Sequence, residues 1–321
     1  MANKKTPEDT QVPSEEEGIS SNESSTESTS SPPKNEDSWI DAIRRNDKNA
    51  TQLLIAQEID KILKKYSLDN YLTVLLFDTA GSIGNFESDR LYEAVSQNSQ
   101  QKDVLLILHS GGGSIEPAYL ISKFLKHFSK SKFSIAVPRR AKSAATLICL
   151  GADEIHMGRT SQLGPIDPQI GKLPALGLVQ ALETLSGLAC KFPDASKMLS
   201  SYLASQLDLR VLGYFNRVAE SAVQYAERLL ANKSIPNNKQ PRDIADHLVN
   251  HYKDHGFVID YEEAQKLLGS SFVKVDTKEY AAANDIFQLL GFLEFILQQS
   301  DQMFWYTGSI EKGLVILPSK T

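Results

Sequence analysis

Ser143 is the residue of this chain whose type and surroundings most suggest chemistry. It stands in R-R-A-K-S-A-A-T (139–146), before a run of small and apolar residues that predicts a helix to about Leu150. The hydroxyl could cap that helix. It could equally be a nucleophile on a strand-to-helix turn, with the N–H of Ala144 as a donor to an oxyanion, although the motif G-x-S-x-G is absent. The residues alone leave both interpretations open.

A glycine-rich turn, H-S-G-G-G-S (109–114), is the second candidate. Contiguous glycines let the backbone turn sharply and approach a ligand, and the helix predicted after them directs free N–H groups at the same place. The turn could hold a phosphate, hold a developing oxyanion, or be a purely structural turn. The phosphate interpretation is weak, because the segment matches neither G-x-x-x-x-G-K-[ST] nor G-x-G-x-x-G.

The elements around these residues predict an α/β fold. Three continuous apolar runs, at 71–78, 103–110 and 133–138, are typical of parallel strands covered on both faces. Helical patterns at 86–96 and 116–128 separate them, so the chain reads as successive βαβ crossover units.

Composition divides the chain into four parts. Residues 1–37 are rich in Ser, Thr, Glu and Pro and predict a disordered acidic tail. A catalytic domain is expected over 38–233, starting with Ser38 as a helix N-cap. Residues 234–242 resemble a linker, and 243–321 are predicted to form a helical C-terminal region.

Charge and cysteine content exclude several classes of function. The net charge of −6 comes entirely from residues 1–37, so the rest of the chain is formally neutral, which argues against nucleic acid as a partner. Cys149 and Cys190 form no disulfide framework or four-cysteine zinc site, and we expect both to be buried free thiols. We see no apolar leader and no membrane-spanning run, so we expect a cytoplasmic protein, with peripheral membrane association left open.

Together, the glycine turn and the serine segment resemble the Clp protease/crotonase superfamily. H-S-G-G-G-S-I is similar to the S-P-G-G-S-type turn of those enzymes, with Gly111 where proline is usual. A-K-S-A-A-T-L-I-C-L-G-A-D-E-I resembles the serine segment of signal peptide peptidase A. The run from Leu106 to Gly171, ending in S-Q-L-G-P-I-D-P-Q-I-G, is similar to the serine dehydrogenase proteinase family. The likeness is specific over about 70–175 and looser through 270.

The resemblance implies a serine peptidase with a Clp protease/crotonase-like fold. Ser143 would form an acyl-enzyme, and N–H groups of Gly112, Gly113 and Ala144 would form the oxyanion hole. It implies a peptide or protein substrate, a homo-oligomer, and neither a redox cofactor nor a metal.

The base that activates the serine is less evident. Clp proteases have a histidine about 25 residues after the serine, where this chain has Asp167; His156 fits a structural strand residue at least as well as a base. Signal peptide peptidase A relatives use a desolvated lysine some 40 to 55 residues after the serine. Lys191 is the first choice in that window and Lys197 the second; Lys172 falls earlier, and Lys142 is expected to point away.

Three histidines, His247, His251 and His255, recur at helical spacing and would share one helix face. The segment is not H-E-x-x-H, and we expect no metal there.

Two other functions stay open. An acyl-CoA hydratase or isomerase of the same fold would use a carboxylate such as Asp167 or Glu154. A catalytically inactive scaffold is the other alternative.

Overall fold

The computed structural model describes residues 38–78, 82–98, 100–170, 173–206 and 209–319. The predicted acidic tail and Lys172 lie outside these ranges. In chain order the strands are β1 (Tyr71–Phe77), β2 (Asp103–His109), β3 (Phe133–Ala136), β4 (Arg140–Ala141), β5 (Glu154–Met157), β6 (Gln162–Leu163), β7 (Gln169–Ile170), β8 (Leu173–Pro174), β9 (Val273–Val275), β10 (Gln302–Ser309) and β11 (Leu314–Pro318).

Helices pack on both faces of the central sheet. They are α1 (Trp39–Arg44), α2 (Lys48–Lys65), α3 (Asn85–Ser96), α4 (Ile115–Phe128), α5 (Ala144–Leu150), α6 (Ala175–Lys191), α7 (Ser196–Gln206), α8 (Leu209–Leu230), α9 (Pro241–Asp246), α10 (Tyr261–Leu268) and α11 (Lys278–Gln298), with a π-helical turn at His247–His251 and 3₁₀ turns at Pro193–Ala195 and Pro236–Asn238. The predicted N-cap is confirmed, since the Ser38 hydroxyl accepts from the Ile40 N–H at 3.2 Å.

Seven strands form the central sheet in the order β11-β10-β1-β2-β3-β5-β9. The pairs β1–β2, β2–β3, β3–β5 and β5–β9 are parallel. The three predicted apolar runs are β1, β2 and β3, and the helical patterns between them are α3 and α4. This arrangement confirms the predicted α/β fold with βαβ crossovers.

Both faces of the sheet are buried, which explains why the strand sequences are apolar without alternation. In β1, Val74 and Leu76 pack into a core with α3, α4, α5 and α8. Leu75 and Phe77 face the opposite core, which α2 and α11 complete. The carboxyl ends of β2 and β3 then lead into the glycine turn and the Ser143 segment, at the edge where open α/β sheets bind ligands.

The C-terminal part differs from the predicted helical region. The helices α9, α10 and α11 are present, but β9 adds a parallel strand at one edge, and β10 pairs antiparallel with β1 at the other side. The described residues from Ser38 onward form one compact unit, and the predicted boundaries at 233 and 243 fall inside it. The physical reason is that β1 would otherwise end the sheet with unpaired backbone groups, which the β10–β11 hairpin satisfies.

The helix α11 has the length and composition of a membrane span, with a mean hydropathy of 1.2 over its most apolar window. One third of that window is buried in the fold. The buried residues Ala282, Ala283, Ile286, Leu290 and Leu293 pack against the sheet. This packing accounts for part of the apolar composition of α11.

Candidate active site

Ser143 occupies a strained turn between β4 and α5. Its backbone has φ 52° and ψ −119°, a conformation that glycine adopts readily and other residues rarely. Holding a non-glycine residue there costs on the order of 1–3 kcal/mol, and such strain concentrates at functional sites. The Ser143 side chain makes no capping hydrogen bond to α5. The geometry therefore favours the strand-to-helix elbow of a nucleophile over a helix cap.

The glycine turn lies directly against this serine. A Cβ on Gly112 would come within 2.8 Å of the Ser143 Cβ and 3.2 Å of the Ala144 nitrogen. A Cβ on Gly113 would lie 2.3 Å from the carbonyl oxygen of Ile83, which accepts from the Ser114 N–H at 2.8 Å. Both glycines have positive φ, 111° and 156°. Only glycine therefore fits at these two positions, and the turn and the serine segment are in contact as the sequence predicts.

The backbone donors near Ser143 differ in their availability. Ala144 is the first residue of α5, so its N–H has no partner within the helix. The N–H of Gly112 donates to the Ser110 hydroxyl at 3.1 Å. Gly113 is exposed and lines the cavity beside Ser143. Of the three predicted oxyanion donors, Gly112 is the one whose N–H already has a hydrogen-bond partner within the turn.

A cavity of about 670 Å³ opens over Ser143, and His255 lies in its wall. The Nδ1 of His255 is 3.6 Å from the Oδ2 of Asp167, whose side chain is 6% exposed. This separation is slightly longer than a hydrogen bond, as catalytic contacts often are before a substrate binds. With Nδ1 beside the carboxylate, the imidazole has its Nε2 on the other side of the ring.

Backbone pairing brings Asp167 and His255 together although they are distant in the chain. Leu163 and Ile259 exchange N–H···O bonds of 2.8 and 3.1 Å, and the Ile166 N–H donates to the Leu248 carbonyl at 2.9 Å. The segment after β6 is thereby aligned with the loop after the π-helical turn. His255 is not among the bases that the sequence predicted. The signal for it was an aspartate in the place of the Clp histidine, which suggests a histidine supplied from later in the chain.

The two predicted lysines lie elsewhere. Lys191 ends α6 and is exposed, with its Nζ 5.6 Å from the centroid of the Phe192 ring. Lys197 is exposed near the start of α7. Among the described residues that line the cavity, none is a lysine. The lysine base stays a prediction that this arrangement does not support.

The other candidate side chains also lie outside the cavity. His156 is buried on β5, where its Nδ1 is 2.9 Å from the Thr277 hydroxyl and 3.6 Å from Glu279. Glu154 forms an ion pair with Lys132. Neither lines the cavity beside Ser143, so of the two carboxylates predicted for an acyl-CoA enzyme only Asp167, through its contact with His255, lies near that cavity.

The three histidines do not share a helix face. His247 and His251 stack with ring centroids 4.1 Å apart, but the helix ends at His251, and His255 turns to Asp167. Over the described ranges, no group of three or more His, Cys, Asp or Glu side chains could hold a metal ion.

The prediction that both cysteines are buried was half wrong, since Cys149 is buried but Cys190 is exposed. Cys190 lies on α6 beside Lys191.

Comparison with known proteins identifies the family of this chain. A family model described as ClpP-like SDH-type serine proteinase matches residues 71–304, a range that contains Ser143, Asp167 and His255. The chain belongs to this family. Its membership confirms the predicted resemblance to the serine dehydrogenase proteinases, the fold class, and a serine peptidase as the kind of enzyme.

Two archaeal relatives come from Methanocaldococcus jannaschii. The uncharacterized protein MJ0137 is 28% identical over 222 residues, which are 64% of this chain and 71% of that protein. The uncharacterized protein MJ1495 is 35% identical over 95 residues, 30% of this chain and 32% of the relative.

Two solved structures are similar to the chain, both of the 1510-N membrane-bound stomatin-specific protease. A serine-to-alanine mutant has a TM-score of 0.41 and 15% identity, covering 77% of this chain and 92% of that one. A lysine-to-alanine mutant in complex with a substrate peptide has a TM-score of 0.41 and 17% identity, covering 78% and 89%.

Proposed function

We propose that this serine peptidase hydrolyses peptide bonds through an acyl-enzyme on Ser143, with His255 as the general base and Asp167 as its orienting carboxylate. The observation that carries the proposal is that one cavity contains both the strained Ser143 and an imidazole paired with a buried carboxylate. A serine hydroxyl is a weak nucleophile until a neighbouring base takes its proton, and an imidazole held by a carboxylate is suited to that task.

In the first half of the reaction, Nε2 of His255 takes the hydroxyl proton as Oγ of Ser143 bonds to the substrate carbonyl carbon. The carbonyl oxygen becomes an oxyanion. When the tetrahedral intermediate collapses, the C–N bond breaks and the imidazolium gives its proton to the leaving amine. Water then attacks the acyl-enzyme, with His255 again as base, and the acid product leaves Ser143 free.

We assign the oxyanion hole to the N–H groups of Ala144 and Gly113. The predicted third donor, Gly112, already donates to Ser110, and its main contribution is to let the turn lie against Ser143. Removing one oxyanion donor typically lowers the rate on the order of 10²–10³-fold.

The lysine mechanism is the rival for the base. It requires that Lys191 or Lys197 reach Ser143 from an exposed helix, which a rearrangement or a second protomer would have to bring about. An acyl-CoA enzyme and an inactive scaffold are the rivals for the activity. The homo-oligomer and the cytoplasmic location expected from the sequence remain part of this proposal.

The experiment is to treat the full-length chain with a fluorophosphonate and to locate the adduct by mass spectrometry. We expect an adduct on Ser143 together with hydrolysis of fluorescein-labelled casein, and loss of both in Ser143→Ala. No adduct on a folded wild-type chain would support the scaffold or the acyl-CoA enzyme instead. An adduct on another serine that persists in Ser143→Ala would remove Ser143 from the mechanism.

A further inference from the structure

Lys142, the residue before Ser143, attaches the serine segment to the segment that carries His255. Its Nζ donates hydrogen bonds to the carbonyl oxygens of Phe257 at 2.7 Å and Gly256 at 3.3 Å. The side chain is half-buried, and burial lowers the pKa of its ammonium group, an effect that Asp254 opposes. A partly desolvated ammonium requires acceptors, and these two carbonyls supply them.

The chain leaves room for this contact at Gly164. A Cβ at Gly164 would lie 2.4 Å from the Cδ of Lys142. The backbone at that position cannot easily move away, because the Gly164 N–H donates to the Thr146 hydroxyl at 3.1 Å, and that hydroxyl shares its proton between the carbonyls of Ala141 at 2.7 Å and Gly164 at 2.8 Å. Any side chain at 164 would therefore displace the stem of Lys142.

We propose that Lys142 is a positioning residue that holds the His255 segment at the distance from Ser143 that proton transfer requires. The inference rests on the proposed role of His255 as the base. A general base must reach within about 2.6–3.2 Å of the atom whose proton it takes. A displacement of about 1 Å can lower a rate roughly 10²-fold. The two bonds from Lys142 fix the backbone immediately after His255, where a small shift moves the imidazole directly.

The test measures the acylation of Ser143 by a fluorophosphonate at several probe concentrations, in the full-length chain. For Lys142→Met we expect a maximal rate roughly 10- to 100-fold lower, with an unchanged half-saturating concentration and an unchanged circular dichroism spectrum. Lys142→Arg should recover most of the rate, because a guanidinium can also donate to two carbonyls but cannot act as a base. Lys253→Met, an exposed lysine of the same loop, is the matched control and should react like wild type.

A second pair of variants keeps the test valid if Lys142→Met fails to fold. Gly164→Ala should lower the maximal rate in the presence of Lys142 and have little further effect when combined with Lys142→Ala. A wild-type rate in Lys142→Met or in Gly164→Ala would overturn the positioning role. If His255→Ala itself retains the wild-type rate, the proposed base is wrong; if His255→Ala is inactive while Lys142→Met is fully active, only the positioning role fails.

Discussion

His109 yields a stability prediction whose sign and size follow from its surroundings. The side chain ends β2, directly before the glycine turn, and is 5% exposed. Its ring lies 5.0 Å from Phe77 and 4.9 Å from Phe287, measured between centroids. Burial, followed by the charges of Arg140 and Arg139, lowers the pKa of His109 to about 4. The imidazole is therefore neutral in the folded chain where a free histidine would already be protonated.

As the pH falls, the unfolded chain binds a proton at this position first, because its histidine has the ordinary pKa of 6.5. Stability is thus fully present above pH 6.5 and decreases as the pH falls towards 4. Each pKa unit corresponds to about 1.36 kcal/mol, so His109 lowers the free energy of unfolding at about pH 5 by roughly 2 kcal/mol relative to neutral pH. In a chain of this length, that change lowers Tm by roughly 4 °C.

The assay compares thermal unfolding at about pH 7 and pH 5 for wild type and His109→Gln, followed by circular dichroism. The variant removes the titrating group, so its Tm should fall less between the two pH values, by roughly 4 °C. His127→Gln, a change of an exposed histidine, should keep the wild-type dependence. Equal pH dependence of Tm in wild type and His109→Gln would refute the assignment of His109 as a buried neutral imidazole.

Two further predictions concern the glycine turn and the thiols. Gly112→Ala should lower fluorophosphonate labelling by at least about 100-fold, because its Cβ would lie 2.8 Å from that of Ser143; Gly111→Ala, whose Cβ meets nothing within 4 Å, should be labelled at close to the wild-type rate. Equal labelling of the two variants would contradict the packing of the turn. Ellman's reagent should react with the exposed Cys190 in the folded chain and with Cys149 only after denaturation, since burial raises the pKa of the Cys149 thiol; two rapidly reacting thiols would count against this burial.

Much of the fold could be predicted because strands buried on both faces carry an unmistakable sequence pattern. The apolar run at 71–78 and its two successors predicted β1, β2 and β3 directly. The hairpin β10–β11 was missed because its residues alternate imperfectly: Trp305 is half-buried between the buried Phe304 and Tyr306. Such a segment becomes a strand through pairing with β1, a long-range contact that local patterns do not contain.

The candidate site likewise has parts that local sequence patterns predict and a part that depends on contacts distant in the chain. The contact between the glycine turn and the Ser143 segment could be predicted because it depends on local turn geometry, which residue types report. The proposed base could not, because the contact of His255 with Asp167 depends on the pairing of Leu163 with Ile259 and on the end of the helix at His251. Helical spacing grouped His255 with His247 and His251, whereas the loop that follows the π-helical turn separates it from them.

The most direct test of the account is the rate of Ser143 acylation by a fluorophosphonate in His255→Ala, compared with the double variant Lys191→Ala, Lys197→Ala. General-base catalysis contributes on the order of 10²–10⁴-fold, so His255→Ala should be slower by that factor, while the lysine double variant should react like wild type. The reverse result, with His255→Ala fully reactive and the lysine variant inactive, would contradict the central claim and restore the lysine mechanism.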